Sequence, residues 1–319
     1  MKILITGGAG FIGSHLAEAL LKRGDKVHVV DNLSTGSLGN IEHMVGNPDF
    51  SYTIDTILNE EIMDGLIKDC DHIYHLAAAV GVKLIMDKPL ETIETNVTGT
   101  AAVLKLANMY KKKILITSTS EIYGNHIKHT LKEDDNRVLG PIRKWRWAYA
   151  SSKTIDEFLA FAYYVEKKLP VVIVRLFNTV GPKQTGAYGM VLPKFVESAL
   201  LSKPIIIYGD GKQTRCFAHV KDAVGAMIEL MKNPKAIGDV FNIGSEDEIS
   251  MNDLAKKVKK ITDSNSGITH ISYEEAYGDG FEDMRRRTPN ISKIKKLIGY
   301  RPTFTLDEII SEIIEYFKK

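Results

Sequence analysis

This 319-residue chain lacks disulfide-forming cysteines and long apolar runs. Cys70 and Cys216 are the only cysteines, so a disulfide-stabilised secreted scaffold is excluded. No apolar run reaches the ~20 residues that span a bilayer. Glycines follow the first apolar residues, where a signal peptide would continue its apolar stretch to a cleavage site. These absences predict a soluble cytoplasmic protein with no membrane partner.

The chain also lacks a strong charge of either sign. Lys plus Arg total 42 and Asp plus Glu total 40, which gives a net charge of +2. A nucleic-acid partner is therefore not expected, because such proteins carry a basic field. His126 and His129 have no third ligand at a spacing typical of zinc, so we predict no metal site.

Short β-rich runs alternate with helical patterns through the first half of the chain, beginning with a strand at Ile3–Thr6 and a helix at Phe11–Arg23. Such alternation is typical of βαβ units, and it predicts an α/β fold with a doubly wound parallel sheet, the Rossmann arrangement. After Phe177 the elements become shorter. We therefore expect a dinucleotide-binding domain over residues 1–175 and a smaller α/β substrate domain over 176–319, with segments within 220–243 able to rejoin the first domain.

Three glycines, Gly7, Gly10 and Gly13, follow the first predicted strand and open the first predicted helix. Glycine at these positions lets the backbone turn sharply and approach a pyrophosphate, which the helix N-terminus stabilises. Asp31 ends the second predicted strand, where a carboxylate accepts hydrogen bonds from a ribose diol and repels a 2′-phosphate. The pattern predicts NAD as the cofactor.

Tyr149 and Lys153 lie four residues apart in a predicted helix, Trp147–Lys167, so their side chains share one face. A phenol with a pKa of ~10 is a poor base at neutral pH. A nearby ammonium and a positively charged nicotinamide both favour the phenolate. The pair therefore predicts a tyrosine that acts as a base beside the cofactor.

Further motifs accompany these residues along nearly the whole chain. They are Thr6–Ser14, His75–Ala78, Asn96–Thr100, Ser118–Gly124, Arg175–Pro182, Tyr208–Arg215 and Arg287–Pro289. With these motifs the chain resembles the extended short-chain dehydrogenase/reductase superfamily, in particular its NAD-dependent nucleotide-sugar epimerase, decarboxylase and dehydratase branch.

The resemblance implies roles for individual residues. Thr119 would bind the sugar O4, Tyr149 would take its proton, and Lys153 would bind the nicotinamide ribose, with Glu121 as a further catalytic residue. The remaining implied cofactor contacts are Phe11, Ile12, Asn32, Asp55, Ala77 and Asn96. The implied contacts to a UDP-sugar, with the diphosphate held by the first three, are Asn178, Arg215, Arg287, Ser120, Lys183, Ala187, Leu192 and Tyr208.

The branch of the superfamily depends on the fate of a 4-keto sugar. A dehydratase of this type has an adjacent Asp-Glu pair, whereas this chain has Ser120 and Glu121, so dehydration is not expected. Ser118–Glu121 resembles the decarboxylase pattern. The loop 183–190 is similar to that of UDP-glucose/UDP-glucuronate 4-epimerases, although Ala187 stands where glucuronate-using members carry arginine, with Lys183 as a candidate substitute.

We therefore predict first a UDP-sugar 4-epimerase acting on UDP-glucose/UDP-galactose, with UDP-glucuronate/UDP-galacturonate as a second substrate pair. The alternatives are a UDP-glucuronate decarboxylase forming UDP-xylose and a non-catalytic NAD-binding scaffold. The resemblance also implies a homodimer joined through a four-helix bundle, to which each copy contributes the helices predicted at Leu90–Tyr110 and Trp147–Lys167.

Overall fold

The computed structural model describes residues 1–186, 190–277 and 283–318. Its strands, numbered in chain order, are β1 Lys2–Thr6, β2 Lys26–Asp31, β3 Phe50–Ile54, β4 His72–His75, β5 Lys113–Thr119, β6 Val171–Leu176, β7 Thr179–Val180, β8 Ile205–Tyr208, β9 Thr214–Cys216, β10 Ala218–His219, β11 Asp239–Ile243, β12 Glu248–Ser250 and β13 Ile268–Ile271. Seven of them form one parallel sheet in the order β11-β6-β5-β4-β1-β2-β3. The predicted doubly wound fold is confirmed.

The helices of the described residues either cover the two faces of this sheet or pack in a separate, smaller core. They are α1 Phe11–Lys22, α2 Glu60–Asp69, α3 Val82–Asp87, α4 Pro89–Met109, α5 Arg146–Lys167, α6 Val191–Leu200, α7 Val220–Lys232, α8 Met251–Ile261, α9 Tyr273–Tyr277, α10 Ser292–Ile298 and α11 Leu306–Phe317. Within these described ranges, no helix combines the length and the apolar character that a bilayer crossing requires.

Alternation along the strands explains why two helical layers are needed. In β1, Ile3 and Ile5 belong to the core cluster that includes residues of α1 and α7. Leu4, between them, belongs to the opposite cluster with residues of α2, α4 and α5. Successive strand side chains point to opposite faces, so a strand that is apolar at every position must be covered on both.

The second half of the chain divides between two places. α6, α8 and α11 enclose a separate apolar core with β8. By contrast, α7 packs against α1, and β11 pairs with β6 at the edge of the large sheet. The segment 220–243 therefore packs with the large sheet and its helices rather than with the smaller core formed by α6, α8 and α11.

The topology brings several strand ends to one edge of the sheet. Gly7 follows β1, Asp31 ends β2, Thr119 ends β5 and Asn178 follows β6. All four strands run parallel, so their carboxyl ends meet at this edge, where ligands bind in open α/β sheets.

Candidate active site

The glycine-rich turn between β1 and α1 forms the floor of a cavity of about 540 Å³. Gly7 has φ +71°, and a Cβ there would lie 2.7 Å from the backbone nitrogen of Ala77. A Cβ on Gly13 would lie 2.3 Å from the carbonyl oxygen of Gly7. Side chains at these positions would collide with the backbone of the turn and of Ala77, whereas glycines permit a tight turn that leaves backbone N–H groups and the α1 N-terminus open to an anion. The floor fits a pyrophosphate.

Asp31 lies in the wall of the same cavity, beside Asn32 and Asp55. Its carboxylate accepts hydrogen bonds from the backbone nitrogens of Ala9 at 2.9 Å and Leu33 at 2.8 Å. Burial raises the pKa of Asp31. Gly10 is a third backbone donor to this carboxylate, which offers about four lone-pair positions, so one remains for a ligand. This wall fits the ribose diol of a dinucleotide.

Thr119, Tyr149 and Lys153 meet at the other end of the cavity. Thr119 is the last residue of β5, and Tyr149 and Lys153 are one turn apart on α5. A hydrogen bond joins Thr119 to the Tyr149 hydroxyl. The Lys153 ammonium donates to Oδ2 of Asp156 at 2.7 Å, and its side chain is only 2% exposed. The structure therefore brings three of the four predicted catalytic side chains together, and the fourth, Glu121, lines the same cavity.

The pKa of Tyr149 in the protein alone is raised rather than lowered. Burial is the main cause, and the negative charges of Glu121 and Asp156 add to it. The predicted lowering depends on the positively charged nicotinamide as well as on Lys153, so it stays a prediction for the complex with the dinucleotide.

A buried chain of polar groups leads from Asp156 to β1, the strand that precedes the glycine-rich turn. Its carboxylate is hydrogen-bonded to Thr100, whose hydroxyl lies 3.0 Å from Nε2 of His75. Nδ1 of His75 lies 2.7 Å from the Thr6 hydroxyl, and burial lowers the pKa of His75 to about 3. Asp156 is not among the residues predicted from the sequence. Its position three residues after Lys153, on the same helix face, is the feature of the sequence that could have indicated a partner for that lysine.

A second cavity, of about 190 Å³, adjoins the first. Eight residues line both cavities and are called the junction: Val80, Glu121, Tyr149, Asn178, Thr179, Gln184, Met190 and Arg287. A ligand in the second cavity therefore reaches Tyr149 from the side opposite the glycine-rich floor.

Three buried arginines line the second cavity together with two carboxylates. Arg215 donates to Oδ1 of Asp283 at 2.8 Å, and Arg146 lies 3.1 Å from the same oxygen. Arg287 donates to Glu121 at 3.2 Å, and Arg146 lies 3.9 Å from that carboxylate. Lys194 also lines this cavity, so four cations face two anions, and the excess of positive charge favours an anionic ligand.

Arg287 shows how strongly these charges interact. Burial and the neighbouring Arg215 lower its pKa to about 10, and it also bonds to Oδ1 of Asn178. A diphosphate would relieve this repulsion by charge-assisted hydrogen bonds. Arg146, which the sequence analysis did not assign to the site, lies three residues before Tyr149 on the same helix face. That spacing is the signal that the sequence offered.

Residues 4–313 match the family model described as GDP-mannose 4,6 dehydratase. The chain belongs to this family. Its resemblance to NAD-dependent nucleotide-sugar epimerases and decarboxylases is confirmed, and so is NAD as cofactor, since solved relatives are complexes with NAD.

Relatives of this family member include decarboxylases and a 4-epimerase. UDP-N-acetyl-alpha-D-glucosaminuronate decarboxylase of Bacillus cytotoxicus is 43% identical over 319 residues, covering the whole chain and 98% of that protein. UDP-glucuronic acid decarboxylase 1 of Xenopus tropicalis is 35% identical, covering the whole chain and 72% of that protein. The solved UDP-glucuronic acid 4-epimerase of Bacillus cereus, with UDP-glucuronic acid and NAD, is 30% identical with a TM-score of 0.90, covering the whole chain and 99% of that structure.

The two cavities gather most of the residues that the sequence assigned to ligands of this family. The first is lined by Gly7, Gly10, Phe11, Ile12, Gly13, Asp31, Asn32, Asp55, Ala77, Thr119, Ser120, Glu121, Tyr149, Lys153, Asn178, Lys183 and Arg287. The second is lined by Glu121, Tyr149, Asn178, Leu192, Tyr208, Arg215 and Arg287.

Three of the assigned residues lie elsewhere or serve another contact. Asn96 lines neither cavity, because its side-chain amide is bonded to the backbone of Ala79 and to Ser152. Lys183 lines only the first cavity and pairs with Glu18, so it does not reach the arginine-lined end. Ala187 lies outside the described residues.

Proposed function

We propose that this family member is an NAD-dependent UDP-hexuronate decarboxylase. The observation that carries the proposal is Arg146, a guanidinium in the cavity wall that is only 4% exposed, three residues before Tyr149. Arg215 and Arg287 suffice for a diphosphate, and Arg146 adds a cation near Glu121, where a C6 carboxylate would lie. A neutral hexose needs no such charge. Both decarboxylase names among the relatives support the same substrate class.

The first half-reaction uses the side chains around Tyr149. Thr119 orients the sugar O4 hydroxyl, and Tyr149 takes its proton as general base. Lys153, held by Asp156, binds the nicotinamide ribose and favours the phenolate. When bound, NAD accepts the C4 hydride and later returns it. Together these steps convert C4 into a ketone.

The ketone makes loss of the C6 carboxylate possible. A carboxylate two bonds from a carbonyl carbon leaves as carbon dioxide, because the carbonyl oxygen takes up the electron pair. Glu121, held by Arg287 at 3.2 Å, faces this edge of the sugar. One proton is added at C5 and C4 is reduced again. The net reaction converts a UDP-hexuronate and one proton into a UDP-pentose and carbon dioxide.

A 4-epimerase is the second candidate, favoured by the similarity to the solved UDP-glucuronic acid 4-epimerase. It shares every step up to the ketone and then returns the hydride to the opposite face. Room for the sugar to turn would be needed at the junction. The two candidates differ in one product, carbon dioxide.

The deciding experiment supplies the purified protein with UDP-glucuronate, UDP-N-acetylglucosaminuronate and UDP-glucose. We expect carbon dioxide and a UDP-pentose from a hexuronate, resolved by NMR, and no turnover of UDP-glucose. Formation of a 4-epimer without carbon dioxide would establish the epimerase instead. Arg146→Lys is the matched variant, since it keeps the charge and loses the fork geometry. It should reduce kcat/KM for the hexuronate about 10- to 100-fold while UDP binding stays unchanged.

We further propose that two copies pair through α4 and α5, which lie side by side. An apolar row is exposed along α5, at a spacing of three to four residues. It consists of Ile155, Phe158, Phe161 and Val165, with exposed fractions of 45 to 63%. Such a row on a surface helix favours contact with another helix.

Light scattering tests this pairing. Phe158→Glu should convert a dimer into a monomer, because it places a charge in the centre of the row. Leu201→Glu is the control, since Leu201 is 55% exposed at the end of α6, away from the row, and should leave the mass unchanged. A wild-type monomer at micromolar concentration would contradict the proposal.

A further inference from the structure

Lys183 occupies a position where its backbone conformation is costly. It lies in a turn after β7 that a hydrogen bond from the Gln184 N–H to the Gly181 carbonyl closes at 3.4 Å. Lys183 is the third residue of this turn and has φ +70°, a conformation that favours glycine. A strained backbone persists only where its surroundings determine it, so a lysine at this position indicates a use for its side chain.

The Lys183 side chain bonds to two elements of the first half of the chain. Its ammonium donates to the backbone carbonyl of Asn40 at 2.9 Å and pairs with Glu18 of α1 at 2.5 Å. These partners lie 143 and 165 residues away along the chain. The Lys183 side chain is only 15% exposed, so most of the solvent is excluded from the pair. His43 lies 2.9 Å from the same Glu18 oxygen.

A second contact ties the same turn to α1. Nε2 of His15, on α1, lies 2.9 Å from the backbone carbonyl oxygen of Pro182. A carbonyl oxygen only accepts, so Nε2 carries the proton of this hydrogen bond. Burial lowers the pKa of His15, which keeps its ring neutral at neutral pH. The turn is therefore fixed to α1 through its backbone, and Lys183 adds the connection to Asn40.

This connection joins two parts of the wall of the dinucleotide cavity. Lys183 and Asn40 both line the first cavity, whose floor fits a pyrophosphate. Asn40 is itself held to that floor, because its side-chain amide donates to the carbonyl of Ala9, next to Gly10, at 2.9 Å. A bond between two parts of a cavity wall must break when those parts separate to admit or release a ligand.

We propose that the contacts of Lys183 with Asn40 and Glu18 form a clasp that slows the release of NAD. The clasp requires NAD as the cofactor and does not depend on the fate of the sugar. Its benefit follows from the chemistry of a 4-keto sugar, since a reduced cofactor that left during turnover could not return the hydride. A slow release keeps both half-reactions on one bound dinucleotide.

The alternative role for Lys183 is a direct contact between its ammonium and the pyrophosphate. The two roles predict opposite effects of Glu18→Gln on the release of NAD. In a clasp, loss of the Glu18 charge weakens one of the two contacts, and release becomes faster. In a direct contact, loss of that charge frees the ammonium to pair with the pyrophosphate, and release becomes slower.

The test loads the protein with radiolabelled NAD, adds an excess of unlabelled NAD and follows the loss of label by filtration. Lys183→Met keeps the length of the side chain and removes the ammonium. It should release NAD about 10-fold faster than the wild type, the lower end of the effect expected for a hydrogen bond to a charged group. Glu18→Gln should speed release by a smaller factor, about threefold, because the contact with Asn40 remains.

Lys221→Met is the matched control. Lys221 also joins two elements through an ion pair, since it opens α7 and donates to Glu312 of α11 at 2.9 Å. It lines neither cavity. We therefore expect this variant to release NAD at the rate of the wild type.

Each result supports or overturns the clasp. Slower release from Glu18→Gln would assign Lys183 to a direct pyrophosphate contact and overturn it. Unchanged release from Lys183→Met and Glu18→Gln would overturn it as well. Equal acceleration in Lys221→Met would show a general effect of losing an ion pair between elements, which also overturns it. If Lys183→Met does not fold, the direction of the change in Glu18→Gln decides alone. No sugar is present, so failure of the clasp and failure of the proposed function are distinguishable.

Discussion

Replacing Asp156 by Asn removes a charge from the buried end of the active site with little change in shape. The Asp156 side chain is fully buried, and it holds the Lys153 ammonium, which is 2% exposed, at 2.7 Å. At an effective dielectric constant of ~20, two unit charges at this distance attract by about 6 kcal/mol. We expect a smaller loss of stability than this, because Lys153 can relax and water can enter. Breaking one side of a buried pair costs about 3–5 kcal/mol.

The Asp156→Asn substitution also changes the pKa of Tyr149, the proposed general base. The negative charge of Asp156 is among the causes that raise the pKa of Tyr149, so its removal lowers that pKa. The phenolate then forms at lower pH. The rate of sugar-dependent NAD reduction falls at acid pH as Tyr149 becomes protonated. This acid limb should move toward lower pH by about one unit, because a neighbouring charge shifts a pKa by about one to three units and the lower end of that range is expected here. Absorbance of the reduced nicotinamide, followed in single turnovers across pH, measures it.

Glu157→Gln provides the matched control on the adjacent residue of the same helix. Glu157 forms a buried bidentate pair with Arg175, with both contacts at 2.8 Å, and it is not among the charges that influence the pKa of Tyr149. We expect a comparable loss of stability in urea titrations and an unmoved acid limb. An acid limb that shifts equally in both variants, or in neither, would refute the electrostatic role given to Asp156.

Two further predictions concern the base and the cofactor floor. Tyr149→Phe should lower turnover by at least about 100-fold, because it removes a general base, while UDP-sugar affinity in calorimetry stays within about twofold; near-normal turnover would contradict the mechanism. Gly13→Ala should abolish retention of NAD through purification, since the added methyl meets the Gly7 carbonyl at 2.3 Å. Gly39→Ala, whose Cβ would meet only Ser37 at 3.6 Å, is its control, and an equal NAD content in both would contradict the assignment of the floor.

Much of the fold is predictable from local pattern. The strand predicted at Ile3–Thr6 is β1, which begins one residue earlier at Lys2, and α5 begins at Arg146, one residue before its predicted start. By contrast, β9 and β12 pair antiparallel over three residues each, too short for an alternating pattern to reveal. The pairing of β11 with β6 joins segments about sixty residues apart, and periodicity alone does not name a partner.

The cofactor half of the site was more predictable than the sugar half for a physical reason. Gly7, Gly13 and Asp31 act within one βαβ unit, so their spacing along the chain already expresses their geometry. Arg146 matters because of what surrounds it in space, since it contributes to the site only once Glu121 and Asp283 are brought beside it. Such relations arise from folding and leave little trace in spacing.

The separation between the cofactor half and the sugar half of the site also explains how one fold supports several reactions. In the proposed function the glycine turn, Thr119, Tyr149 and Lys153 would make the 4-keto sugar, and nothing in them selects the fate of that ketone. The outcome depends on the charge at the C6 edge and on the room at the junction. A cation such as Arg146 favours an acidic sugar, and a ketone beside that carboxylate permits loss of carbon dioxide before hydride returns. Changes at Arg146 should therefore alter the preference between acidic and neutral sugars, whereas changes at Glu121 should also move the pH dependence of NAD reduction, because its charge raises the pKa of Tyr149.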